Sequence, residues 1–180
     1  MRKIVLCIGL LLGLASLIWA GGAQEVTPQE SSDGYKYITT EDLEFRWMLE
    51  GENLKVEVTA PTTGWVSVGF DATRAMKDGD FIFGFVENGS LTISDQFGTG
   101  AFTHKADVDI GGTNDIISSS GSESSDTTTL EFVIPLNSGD EYDADLNPDT
   151  QHVVLFAYGP AGADDFTTKH TFRTKVSLQF

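Results

Sequence analysis

Side chains that bind transition metals are scarce in this chain of 180 residues, which has three methionines, three histidines and one cysteine. Met76 lies beside charged residues such as Arg74, Lys77 and Asp78, where local packing does not explain a thioether. His170 follows a flexible segment and begins the last predicted strand. Thioethers and imidazoles both bind transition metals, so residue type alone makes every methionine and histidine a candidate ligand. The alternatives are a methionine that packs over one end of the fold and an exposed histidine at a strand end.

The chain is strongly acidic, with 27 Asp and Glu against 11 Lys and Arg and a formal net charge of −16. This field repels nucleic acids and anionic membrane surfaces and would steer a partner with a cationic surface. No nucleophile elbow, HExxH or P-loop motif is present in the sequence. We therefore expect no enzymatic activity, no nucleic-acid partner and no membrane partner.

The first residues have the pattern of an export signal. Arg2 and Lys3 precede an apolar run over residues 4–20, and small residues follow it. The run is shorter than the roughly 20 apolar residues that a bilayer span takes, although an uncleaved anchor is the alternative. We predict a signal peptide at residues 1–23 and a periplasmic or secreted protein without membrane attachment. Cleavage would remove Cys7, which excludes disulfides and thioether-attached haem.

The rest of the sequence predicts one all-β domain at residues 35–180, preceded by a flexible polar leader at 24–34. Apolar side chains alternate with polar ones, as in Leu43, Phe45 and Trp47. Asn88-Gly89 predicts a type I′ hairpin turn. Further strands are predicted at 54–59, 65–70, 81–86, 129–135, 152–158 and 169–179, with loops at 111–128 and 137–150 and one helical turn at 72–77. About nine short strands favour an antiparallel β-sandwich.

Several sequence blocks occur in a characteristic order. They are GWVSVGFD (64–71), Met76 with DGDFIFGFV (78–86), NGSLTISDQF (88–97), GGTNDI (111–116), TLEFVIPLNSGDEYDADL (129–146), VVLFAYG (153–159) and a late histidine, His170. Together these blocks resemble the DOMON domain family over residues 35–180. The resemblance implies an immunoglobulin-like antiparallel β-sandwich that binds a ligand outside the cytoplasm, usually haem b or a sugar.

The resemblance also implies specific ligands. In the haem-binding cytochrome members of the family, a Met after the G-W-x-x-x-G-F block and a His near the last strand bind the iron from opposite sides. Met76 and His170 match these positions, which implies non-covalent haem b and single-electron transfer with a redox partner protein. Some relatives use Lys in place of His, so Lys169 is the alternative second ligand. Copper is less favoured, because no His-x-His pair accompanies Met76.

Aromatic residues supply both the candidate pocket wall and the alternative function. The expected wall consists of Trp65, Phe70, Phe81, Phe83 and Phe102, although ordinary sandwich core is the alternative for most of them. A non-enzymatic carbohydrate-binding module of the same fold would instead use exposed rings as stacking platforms. The candidate platforms are Trp47, Trp65, Tyr35 and Tyr37. A third alternative is a structural domain that docks a partner through its acidic surface.

One short segment partly matches a calcium-binding loop. Asp107, Asp109 and Gly112 fit an EF-hand pattern, but Gly111 and Ser118 occupy two positions that need ligands. A solvated turn is therefore expected here, with a cation held near Asn114 and Asp115 as the alternative.

Overall fold

The computed structural model describes residues 22–40 and 42–180. The predicted signal peptide lies outside the described residues except for its last two positions, so export stays a prediction. Among the described residues, no helix is long and apolar enough to span a membrane.

Two packed β-sheets form the fold. The described residues form thirteen strands: β1 (Gln24–Glu25), β2 (Gln29–Glu30), β3 (Lys36–Thr39), β4 (Glu44–Glu50), β5 (Asn53–Ala60), β6 (Val66–Phe70), β7 (Asp80–Glu87), β8 (Ser90–Gly100), β9 (Thr103–Ala106), β10 (Ser118–Ser124), β11 (Thr127–Pro135), β12 (His152–Tyr158) and β13 (Phe172–Leu178). One sheet has the order β1-β13-β12-β6-β7-β8-β9 and the other β10-β11-β5-β4-β3-β2. All strand pairs are antiparallel except β1 with β13. The predicted all-β sandwich is confirmed.

The core lies between the two sheets and is formed by every second residue of their strands. Phe45 and Trp47 on β4 are fully buried, whereas Glu44, which precedes Phe45 and points to the other face of the sheet, is exposed. Phe45 contacts Phe156 of the opposite sheet with ring centroids 5.0 Å apart. Because successive side chains of a strand point to opposite faces, the alternation in the sequence selects which residues enter this core.

The predicted hairpin between β7 and β8 is confirmed. Asn88 and Gly89 have φ angles of 52° and 77°. A type I′ turn requires positive φ at both central residues, and Asn and Gly tolerate this best.

Three segments have a different secondary structure from the one predicted: 24–34, 111–128 and 72–77. The predicted flexible leader at 24–34 pairs with the sandwich through β1 and β2, and Arg46 binds Asp33 at 2.6 Å. The predicted loop at 111–128 contains β10, an almost entirely exposed edge strand that pairs with β11. Edge strands need only backbone partners, so neither segment shows an apolar alternation. Residues 72–77 form no helix, because Ala75 has a positive φ of 52° and Arg74 forms a bridge with Lys77.

The buried side chain of His152 pairs with Asp71, which is 37% exposed, at one end of β12. Its Nδ1 lies 2.7 Å from Asp71 Oδ2, and its Nε2 lies 2.8 Å from the Asn147 carbonyl oxygen. Both of these partners only accept hydrogen bonds, so the arrangement favours the charged imidazole, in which both ring nitrogens carry protons. The hydrogen bond to Asp71 therefore raises the pKa of His152 above its usual 6.5, and Asp145 adds to this effect.

We expect His152→Gln to cost about 2 kcal/mol of unfolding free energy at pH 6, because two hydrogen bonds of a charged group are weakened. The folded state binds the His152 proton more tightly than the unfolded state does. The stabilisation is therefore full below about pH 6.5 and is lost as the pH rises through the folded-state pKa. Urea denaturation of both proteins from pH 6 to 9 measures this difference, and a difference that stays constant over that range would contradict it.

Candidate functional site

The outer surface of the seven-stranded sheet carries a second apolar cluster. On β7, Ile82 and Val86 point into the sandwich core, whereas Phe81, Phe83 and Phe85 point away from it. Trp65, just before β6, and Phe166, in the loop between β12 and β13, pack against the same rings. We call Trp65, Phe81, Phe83, Phe85 and Phe166 the aromatic face.

Phe83 lies at the centre of the aromatic face. Its ring centroid is 5.5 Å from that of Trp65, 6.0 Å from that of Phe81 and 5.9 Å from that of Phe166. Trp65 donates from Nε1 to the Thr168 carbonyl oxygen at 3.1 Å. This bond holds the segment before β13 against the sheet, so Phe166 lies over the strand residues.

Two glycines make room for these rings. A Cβ at Gly69 would overlap the Phe81 ring, and a Cβ at Gly159 would overlap the indole of Trp65. Both rings therefore lie close against the backbone of the sheet. The result is an apolar layer of rings on the strands, in which Trp65, Phe81 and Phe83 are each only 4% exposed.

Met76 lies at the edge of the aromatic face and packs against it, partly buried. The loop that carries it is held by the backbone bonds from Asp78 to the Gly98 carbonyl oxygen at 2.8 Å and from Gly79 to the Met76 carbonyl oxygen at 3.2 Å. The structure thus brings four predicted site residues together: Met76, Trp65, Phe81 and Phe83. The role of Met76 as a ligand stays a prediction.

His104 also lies on the aromatic face, although no sequence pattern predicted it there. Its ring stacks on Phe83 with centroids 4.7 Å apart and an interplanar angle of 15°. Its Nδ1 is hydrogen-bonded to Gln96 Oε1, and burial lowers the pKa of the imidazole. No local signal marks His104, because only the pairing of β9 with β8 brings it to this surface.

His170 lies in the segment between Thr168, which accepts the Trp65 hydrogen bond, and Thr171, which donates to the Tyr158 carbonyl oxygen at 2.9 Å. The last strand was predicted at 169–179. In the structure it begins at Phe172, two residues after His170. Burial, followed by the positive charges of Arg173 and Lys169, lowers the pKa of His170. The imidazole is therefore neutral near pH 7 and half-buried, whereas Lys169 is exposed. No ring contact in the described part of the chain joins His170 to the aromatic face.

Phe70 lies on the other side of the sheet, which corrects its predicted place in the pocket wall. Its side chain is fully buried in the sandwich core, where its ring centroid is 6.1 Å from that of Phe180. The physical reason is the alternation on β6, which sends Val68 and Phe70 to the inner surface. Phe102 is 82% exposed at the turn between β8 and β9 and does not belong to the aromatic face.

The candidate stacking platforms for sugars are largely covered. Trp47 is fully buried in the core, and Trp65 is only 4% exposed, so neither presents a ring face to solvent. Tyr35 carries the Arg46 guanidinium 4.6 Å from its ring centroid. Tyr37 donates a hydrogen bond to Gln29 at 2.8 Å. The prediction of a Trp47 platform is therefore wrong.

Comparison with solved structures shows the same fold in cytochrome domains. The cytochrome b domain of pyranose dehydrogenase from Coprinopsis cinerea superimposes with a TM-score of 0.59 at 13% identity, over 80% of this chain and 80% of that one. The cytochrome domain of Myriococcum thermophilum cellobiose dehydrogenase superimposes with a TM-score of 0.58 at 10% identity, over 85% of this chain and 88% of that one.

Sequence comparison identifies the family. "DBH-like monooxygenase protein 2" of Mus musculus is 32% identical over 130 residues, which are 72% of this chain. The chain spans only 20% of the length of that relative. The sequence profile described as "DOMON domain" matches residues 39–159. The match covers most of both sheets, and the chain therefore belongs to the DOMON domain family.

Proposed function

We propose that this protein binds haem b non-covalently at the aromatic face and transfers single electrons outside the cytoplasm. The observation that carries the proposal is an apolar, ring-lined surface with a thioether at its edge and neutral imidazoles on or near it. The structural neighbours named as cytochrome domains support the same ligand class.

The residues present fit the chemistry of a haem, which is flat and largely apolar, as this layer of rings is. Trp65, Phe81 and Phe83 are each 4% exposed, so haem binding would require the covering segment around Phe166 to move aside. Met76 and His170 are the residues that would hold the haem iron. When bound, haem supplies one-electron chemistry that no amino-acid side chain of this site supplies.

The side chains have distinct roles in this proposal. A thioether ligand favours ferrous iron and raises the reduction potential, so Met76 would set the potential. His170 is held neutral, which leaves a ring nitrogen free to bind iron. Trp65, Phe81 and Phe83 exclude water from the bound group. Held by Met76 and His170, the haem would supply one-electron transfer.

His104 and Lys169 are the competing second ligands. His104 contacts the aromatic face directly, and its bond to Gln96 fixes one ring nitrogen and leaves the other free. Lys169 is exposed beside His170. Haem titration of single variants at these positions distinguishes them.

The proposed cellular role is an exported, non-catalytic electron carrier. Its partner would be a redox protein, steered by the strong negative charge of this chain toward a cationic docking surface. Because the chain spans a fifth of the mouse relative, the monooxygenase activity in that protein's name is not assigned to this chain.

The proposal is tested by adding haemin to the purified protein and recording the spectrum after reduction. We expect sharp low-spin bands, one haem per chain, and their loss in Met76→Leu and in His170→Ala. Met48→Leu is the matched control, because Met48 lies on β4 of the other sheet and should leave the spectrum unchanged.

Two further variants identify the second iron ligand. His104→Ala and Lys169→Ala should retain the low-spin bands if His170 binds the iron. Loss of the bands only in His104→Ala would reassign the second ligand to His104. Absence of haem binding by the unaltered protein, or low-spin bands that persist in Met76→Leu, would overturn the proposal.

A further inference from the structure

A cluster of aspartates lies at one end of the sandwich, on the opposite side of the sheet from the aromatic face. Asp80 begins β7, Asp95 lies on β8, and Asp143 lies in the loop between β11 and β12. One carboxylate oxygen from each of the three lies within 4.8 Å of those of the other two. Asp107, in the 3₁₀ turn after β9, is near enough for the charges of Asp95 and Asp143 to act on it. We call these four residues the aspartate cluster.

The aspartate cluster is buried. Asp80, Asp95 and Asp107 are 5%, 4% and 1% exposed. Two donors that reach the cluster are backbone amides: Ala144 donates to Asp80 Oδ2 at 3.3 Å, and Asp115 donates to Asp95 Oδ2 at 2.9 Å. These bonds tie two loops to β7 and β8, yet they leave other carboxylate oxygens without a partner.

The remaining oxygens are the unusual feature. Asp95 Oδ1, Asp143 Oδ1 and both carboxylate oxygens of Asp107 are buried and accept no hydrogen bond from the described residues. A buried carboxylate oxygen without a donor costs several times the net value of an ordinary hydrogen bond, so such groups are rare and need a partner. One positive group at this location could interact with all four.

The neighbouring negative charges strengthen the need for a positive partner. Burial raises the pKa of Asp95 to about 6 and that of Asp107 and Asp143 to about 7. The pKa of Asp80 rises well above its ordinary range, through burial first and then through the charges of Asp95 and Asp143. The charges that act on these groups are thus other carboxylates, whose mutual repulsion a bound cation would remove.

We propose that the aspartate cluster binds one Ca²⁺ ion. All available ligands are oxygens, which suit Ca²⁺ and Mg²⁺ and do not suit transition metals that prefer imidazole or thiolate. The three carboxylate oxygens lie within 4.8 Å of one another, so one ion can contact all of them. Several protein carboxylates around one ion suit Ca²⁺, whereas Mg²⁺ usually keeps several waters and binds through one or two carboxylates.

The space at the cluster matches a single ion. A cavity of about 10 Å³ is lined by Asp80, Asp95 and Asp143 together with Ile134 and Pro135 of the opposite sheet. This position lies between the two sheets, where an ion would hold the β11–β12 loop and the 3₁₀ turn to β7 and β8. The ion would act as a structural crosslink, not as part of the haem site.

The test is thermal unfolding of the purified protein after removal of divalent ions, with and without 10 mM Ca²⁺ at matched ionic strength. Extracellular calcium modules bind with dissociation constants of about 0.1–1 mM. An affinity in that range predicts a rise in Tm of about 3–10 °C. The same concentration of Mg²⁺ should produce a smaller rise, and calorimetry should show one Ca²⁺ per chain.

Asp95→Asn and Asp143→Asn remove a charged ligand while conserving its shape. Each variant should lose the Ca²⁺-dependent rise in Tm, yet unfold without calcium at or above the Tm of the unaltered protein, because repulsion is reduced. Asp126→Asn is the matched control, since Asp126 is exposed at the β10–β11 turn and should leave the response intact.

Three results would overturn the proposal: no rise in Tm and no heat of binding up to 10 mM Ca²⁺, an equal response to Mg²⁺, or a full response in both Asn variants. If the Asn variants fail to fold, calorimetry on the unaltered protein decides the question. The experiment needs no haem, so its failure would leave the proposed function unchanged.

Discussion

Gly98→Ala is expected to destabilise the protein by about 3 kcal/mol and to displace the loop that carries Met76. A Cβ at Gly98 would overlap the carbonyl oxygen of Met76, which belongs to the backbone and cannot rotate away. Overpacking of this kind costs about 1–3 kcal/mol, and rigid backbone neighbours place it at the upper end. Because Asp78 and Gly79 are bonded to the same segment, the substitution should also weaken haem binding.

Urea denaturation measures the stability change, and a haem titration measures the effect on the site. Gly100→Ala is the matched control on the same strand. There a Cβ would meet only the hydroxyl of Thr103, which ends a rotatable side chain. Equal losses of stability in the two variants would contradict the argument from the Met76 backbone.

Phe45→Ala is expected to cost about 4 kcal/mol, the largest effect of a single side chain that we predict. Phe45 is fully buried and contacts rings on both sides of the core, with Trp47 at 5.1 Å and Phe156 at 5.0 Å between centroids. Removing such a ring costs about 3–5 kcal/mol, because apolar burial is lost and a cavity remains. A domain of this size has roughly 5–15 kcal/mol of stability, so much of it would disappear.

Chemical denaturation at constant pH checks this value. Phe102→Ala removes the same number of atoms from a ring that is 82% exposed. We expect it to change stability by less than about 0.5 kcal/mol. A loss for Phe45→Ala that is as small as that for Phe102→Ala would show that the sheets do not pack through this ring.

Strand β7 connects the two proposed sites. Asp80 points into the aspartate cluster, and the next residue, Phe81, points to the aromatic face. An ion bound by Asp80 would hold the beginning of β7, which follows the loop of Met76. One strand therefore supports both sites. They can still be tested separately, because the calcium experiment needs no haem.

Much of the fold could be predicted from local patterns. The alternation around Phe45 and Trp47 predicted which side chains are buried, because strand geometry alone sends alternate residues to opposite faces. Asn88 and Gly89 predicted the hairpin, because few residues tolerate positive φ. The polar edge strand β10 was missed, since it needs backbone partners and no apolar side chains.

The candidate site was predicted only in part. The sequence by itself was enough to identify the family blocks, to single out the thioether of Met76 and to show that β7 is rich in aromatic residues. Only the tertiary structure decided that Phe70 faces the core while Phe81 faces outward, and that His104 stacks on Phe83. It alone brought Asp80, Asp95, Asp107 and Asp143 together. The physical reason is that side-chain direction along a strand is local, whereas the partner across the sheet depends on how distant segments pair and pack.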